Sequence, residues 1–91
     1  MAEQAFQWTR QHEVACATVT DAEAVDACLA VVREHRLVVE PACGAAVAAA
    51  LQRRVPVLQR AADVLVVLCG GACTTHEDLQ RWARQLAVPA P

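Results

Sequence analysis

The chain's 91 residues carry a formal charge of −2 and an isoelectric point near 5.8, which excludes the basic footprint that nucleic acid requires. Apolar residues make up 56% of the chain and aromatic ones only 3%, so Ala and Val dominate: suited to close packing, but short of the large side chains on which a self-sufficient core is built. Five cysteines, an odd number at irregular spacing, argue against a disulfide framework and for a reducing cytoplasm, and no apolar run reaches the ~20 residues of a membrane span.

In chain order, Ala2 to Gln11 reads as a short helix with Ala2, Ala5 and Phe6 on one face, and Val14 to Val19 as a weakly alternating strand. Thr20-Asp21-Ala22-Glu23 has the capping-box pattern. Ala24, Val25, Cys28, Leu29 and Val32 then follow at helical spacing, which predicts a helix from Asp21 to about His35. Arg33, His35 and Arg36 suit the negative end of its dipole. Leu37-Val38-Val39 is a brief apolar strand. Glu40 stands at its junction with a helix from Pro41 to about Arg53, since proline is well tolerated in a first turn. That helix is made of small residues nearly all round. Gly44 within it costs up to ~1 kcal/mol relative to Ala, which points to a close approach by a neighbour. Val55 to Asp63 reads as a loop with one helical turn at most.

Val64-Leu-Val-Val-Leu-Cys-Gly-Gly-Ala-Cys-Thr-Thr75 is the stretch on which the expected architecture turns. Five consecutive apolar residues without alternation read as a central parallel strand covered on both faces. Gly70 and Gly71 permit backbone conformations closed to other residues. Thr75 is an N-cap with Asp78 as its capping-box partner, opening a helix from His76 to Leu86. Residues 87–91, rich in proline, read as a frayed tail. The order α-β-α-β-α-β-α predicts an α/β fold, a parallel sheet with flanking helices, and residues 1–91 as a single partial domain.

The candidate chemistry lies at two junctions. Cys69 is expected at the carboxyl end of a strand, where open α/β folds place ligands; an ordinary turn with Cys69 as a small buried hydrophobe accounts for the same residues. Glu40 is either a site carboxylate or a solvated acid rewarded by the helix dipole. Cys43, on the same turn, reads as core. Cys69, Cys73, His76 and Cys43 are the only tempting zinc set, without a second short-spaced pair. A Cys69 thiolate with His76 as base is a further alternative.

Leu37-Val-Val-Glu-Pro-Ala-Cys-Gly-Ala-Ala46 and Val64-Leu-Val-Val-Leu-Cys-Gly-Gly71 together resemble the C-terminal part of serine dehydratases, the pyridoxal-phosphate-dependent L-serine/L-threonine ammonia-lyases of the tryptophan-synthase-β fold group. The likeness covers nearly the whole chain. It implies the C-terminal portion of the large domain of a fold-type-II enzyme that converts L-serine or L-threonine to a 2-oxo acid and ammonia, in cytoplasmic amino-acid metabolism feeding gluconeogenesis. It implies a homodimer in the complete enzyme, a small amino-acid substrate, and neither nucleic acid nor membrane as partner. By the same resemblance Cys69, Gly70, Gly71 and Glu40 are cofactor-binding. Cys69 would face the pyridine nitrogen, the glycines would give the ring room, and Glu40 would lie at the pocket edge, with Cys43 and Gly44 as packing residues behind. Ala72 and Cys73 depart from the Ser and Asn usual after Cys-Gly-Gly, and the link from Leu51 to Asp63 is short for the family. The chain has no lysine, so the Schiff-base residue would belong to a missing N-terminal portion. The alternative is a catalytically dead interaction fragment that associates with an intact subunit.

Overall fold

Thr20 opens the longest helix. Its hydroxyl accepts from the Glu23 N–H at 3.1 Å, while the Glu23 carboxylate accepts from the Thr20 N–H at 2.9 Å. The reciprocal pair satisfies two donors that a helix start leaves unpaired. A computed structural model describes residues 2–88, with helices α1 (Glu3–Gln11), α2 (Asp21–His35), α3 (Pro41–Leu51), α4 (Pro56–Arg60) and α5 (His76–Gln85). The same device opens α5, where Thr75 and Asp78 exchange bonds of 3.0 and 3.1 Å. Each box pulls its carboxyl below the ordinary range. The backbone N–H of Thr20 is the main cause for Glu23, and that of Thr75 for Asp78.

The core is the meeting of α2, α3 and α5. Val25, Cys28, Leu29, Val31, Val47, Leu79 and Ala83 are buried there, and Leu79 is fully enclosed. α2 and α3 approach so closely at Gly44 that a side chain there would strike the Ala24 carbonyl and come within 2.5 Å of Cys28 Sγ. The close approach expected at Gly44 is therefore the α2–α3 crossing. Helices α1 and α4 bury no residue. Arg54, beyond the end of α3, donates to the Thr18 carbonyl at 3.1 Å and pairs with Glu23, tying residues near 18 to the head of α2.

The parallel sheet is not present: among the described residues there is no strand. The α/β fold expected from the apolar runs is corrected to a helical layer with extended segments beside it. The runs 14–19, 37–39 and 64–69 lie outside the helices, but no backbone hydrogen bond joins one described run to another. The physical reason is that an extended chain, unlike a helix, satisfies its polar groups only through a neighbour about 4.8 Å away. Nor is the third run covered on both faces. Leu65 is 92% exposed and Val67 71%, while Val66 alone packs on the core. One helical layer leaves the opposite face open.

The exposed area of 6606 Å² exceeds the roughly 5,200 Å² usual for a self-contained monomer of 9.8 kDa. The Cα radius of gyration, 14.5 Å, likewise exceeds the roughly 12 Å expected at this length. Among the described residues no helix is long and apolar enough to cross a membrane. At the other end of the chain, Ala87 is left-handed (φ 57°) and the Val88 N–H closes on the Ala83 carbonyl at 2.9 Å, ending α5. The remainder of the expected frayed tail, residues 89–91, lies outside the described residues.

Candidate functional site

Glu40 is the N-cap of α3. Its carbonyl accepts from the N–H groups of Cys43 and Gly44 at 2.9 and 3.0 Å. Pro41 at the first helical position needs no N–H partner there. The Glu40 side chain makes no cap bond and instead lies against Gly70, where an added Cβ would fall 2.5 Å from its carboxyl carbon. Gly70 holds φ 79° and Gly71 φ 124°, left-handed values that favour glycine. A side chain at Gly71 would collide with the Val38 carbonyl. The two glycines thus let the end of the third extended run lie flat against the Val38–Glu40 junction.

Cysteines fix this contact from behind. The Cys28 thiol donates to the Glu40 carbonyl at 3.3 Å. Cys43 Sγ accepts from the Cys69 N–H at 3.3 Å and lies 3.9 Å from the Val67 carbonyl. The buried Cys43 thiol therefore serves the backbone of the third run in place of a strand neighbour. Burial pushes the Cys28 thiol up to about 11, with Cys43 beside it and Glu40 adding to the shift, so Cys28 is a packing thiol rather than a nucleophile.

Of the sequence-predicted site residues, Glu40 and Gly70 meet directly, Gly71 lies against Val38, and Cys69 adjoins Gly70 as an exposed residue. They form a ledge at the head of α3 rather than the carboxyl edge of a sheet. Cys73 and His76 are exposed, and no group of three His, Cys, Asp or Glu among the described residues is placed to hold a metal. The ties made by Cys28 and Cys43 were not legible as such. The sequence reads Cys28 as part of an apolar helix face and Cys43 as core, and both are buried, but neither reading names the backbone groups they meet.

The family model for pyridoxal-phosphate dependent enzymes matches residues 1–70, which include Glu40, Cys69 and Gly70. The chain belongs to that family. The curated relatives it matches include several named as serine or serine/threonine dehydratases. It is 32% identical over 74 residues to L-serine dehydratase of Dictyostelium discoideum, covering 79% of this chain and 21% of the relative. To the catabolic L-serine/threonine dehydratase of Saccharomyces cerevisiae it is 31% identical over 85 residues, 85% of this chain and 23% of the relative. To the L-serine dehydratase/L-threonine deaminase of Bos taurus it is 33% identical over 95 residues, 97% of this chain and 29% of the relative. The chain spans less than a third of the length of each.

The chemistry of the ledge is compatible with pyridoxal phosphate, the cofactor of the family. A thiol, a carboxylate and a stretch of backbone without side chains suit the flat heteroaromatic ring and its nitrogen. The aldehyde is not served, because a Schiff base needs an amine and the chain has no lysine.

Proposed function

We propose that the chain forms the ring-facing wall of the cofactor site in a dehydratase that converts L-serine or L-threonine to a 2-oxo acid and ammonia, the lysine coming from the remainder of the enzyme. The observation that carries this is the ledge itself, with the Glu40 carboxyl on Gly70 and the Cys69 thiol exposed beside it. Bound pyridoxal phosphate supplies an electron-withdrawing ring that eases changes at the substrate's α carbon. Cys69 would face the ring nitrogen with a thiol, a weaker partner for the ring's proton than an aspartate, which would hold that proton and deepen the electron sink. The weaker sink suits loss of the β-hydroxyl. Gly70 and Gly71 give the ring room, and Glu40 tunes charge at the pocket edge. The same reading assigns a cytoplasmic enzyme, homodimeric when complete, acting on a small amino acid without nucleic acid or membrane.

The surplus exposed area and the uncovered third run support a working unit larger than this chain. They equally favour a second reading, in which the chain is a catalytically dead piece that docks on an intact subunit. Two measurements separate the cases. Alone with pyridoxal phosphate and borohydride, the chain should fix no cofactor on an internal side chain; such an adduct overturns both readings. Fused to the complementary portion of a related dehydratase, it should restore cofactor fixation and turnover. A folded but inactive fusion favours the second reading.

A further inference from the structure

The thiol of Cys43 lies against the Cys69 backbone nitrogen, one buried and the other on an exposed residue of a different segment. We infer that Cys43 and Cys69 form a redox latch, an intramolecular disulfide that pins the third extended run to the first turn of α3 when a small disulfide such as oxidised glutathione is present. The inference stands on this geometry and not on the cofactor reading.

Reach is the first argument. The 3.3 Å separation of Cys43 Sγ from the Cys69 nitrogen puts that sulfur within about 5 Å of the Cys69 Cα. Rotation of the Cys69 side chain can then bring the sulfurs together inside the span disulfides bridge. Accessibility is the second. Cys69 is exposed and meets the oxidant, whereas Cys43 is buried, with the Cys69 backbone on one side and Cys28 on the other. Cys28, the other buried thiol, is engaged with the Glu40 carbonyl, and its thiol form is favoured by burial. Backbone freedom is the third: the third run carries no ladder bonds that a shift of its end would break.

The chemistry balances as two exchanges. The Cys69 thiolate attacks one sulfur of oxidised glutathione, breaking its S–S bond and releasing one glutathione thiolate. The Cys43 thiolate then attacks the Cys69 sulfur of the mixed disulfide and expels the second glutathione thiolate. Two protein thiols are oxidised by two electrons, one small disulfide is reduced to two thiols, and the two protons pass to the departing thiolates. The Cys69 thiol is thereby withdrawn from the ledge, so the latch would also alter whatever that ledge binds.

The test is peptide mapping of the whole chain after treatment with oxidised glutathione, without reduction. The expected product is a monomer lighter by two hydrogen atoms, with residues 37–53 cross-linked to residues 61–81. The link should survive Cys73→Ala unchanged and disappear in Cys69→Ala. In Cys43→Ser a glutathione adduct should persist on Cys69. The inference is overturned by a Cys69–Cys73 or Cys28–Cys43 bridge, by an intermolecular link, or by a stable glutathione adduct on Cys69 of the unaltered chain.

Discussion

Helix α3 and the extended run 64–69 of this molecule are built from similarly apolar sequence, yet they reach opposite ends. The helices α2, α3 and α5 close their own backbone hydrogen bonds, begin in two cases with reciprocal caps, and bury Leu79 and Cys28 completely. The run 64–69 is at least as apolar but leaves Leu65 and Val67 in solvent, with Val66 packed on the core and the Cys43 thiol against its backbone. Local sequence can complete a helix, whereas an extended segment is completed only by what lies next to it. The candidate site sits where the two kinds of region touch.

The largest expected effects lie on the helical side. Leu79→Ala removes a fully buried side chain from the α2–α5 contact and should cost about 2–5 kcal/mol, read as a lowered urea midpoint or loss of the transition. Gly44→Ala should be destabilising despite alanine's better helix propensity. The clash with the Ala24 carbonyl and Cys28 costs roughly 1–3 kcal/mol, against a propensity gain of at most ~1 kcal/mol. A neutral or stabilising Gly44→Ala would mean that the two helices do not cross here.

The caps come next. Thr20→Ala and Thr75→Ala should each cost about 1 kcal/mol. Glu23 and Asp78 both have folded-state pKa values lowered by these bonds. Their contribution is therefore complete above the ordinary carboxylate range and lost as pH falls through the folded values. The urea midpoint of the unaltered chain should drop on acidification below that range, and by less in the two Thr variants. Smallest of all, Leu65→Thr should change stability by under about 0.5 kcal/mol, because the side chain is already in water. A loss matching that of Leu79→Ala would show the third run to be covered and would erase the contrast between the regions.

The same contrast explains what could be read from the sequence. The Thr20–Glu23 and Thr75–Asp78 boxes, Pro41 and the spacing of Ala24, Val25, Cys28 and Leu29 are local signals, and helices α2, α3 and α5 stand close to where those signals put them. Leu37–Val39 and Val64–Leu68 carry a strand signal whose fulfilment depends on neighbours, and the expected parallel sheet rested on pairings that the described runs do not make. The meeting of Glu40 with Gly70 was legible only in outline, from two motifs and a family likeness. The use of Cys43 as acceptor for the Cys69 N–H was not legible, because it depends on the position of a segment 26 residues away.

The central claim, that Cys69 faces the ring nitrogen of pyridoxal phosphate, is tested most directly by cofactor absorption spectra of a complete dehydratase carrying this segment, with Cys69→Ser and Cys69→Asp compared side by side. The account predicts that the serine variant keeps the spectrum and most of the turnover, since a hydroxyl is a similarly neutral partner. The aspartate variant should shift the absorption and lose elimination relative to side reactions, each unit rise in the pKa of the ring nitrogen being worth ~1.4 kcal/mol. An absorption spectrum left unchanged by both substitutions would contradict the claim and remove Cys69 from the cofactor site.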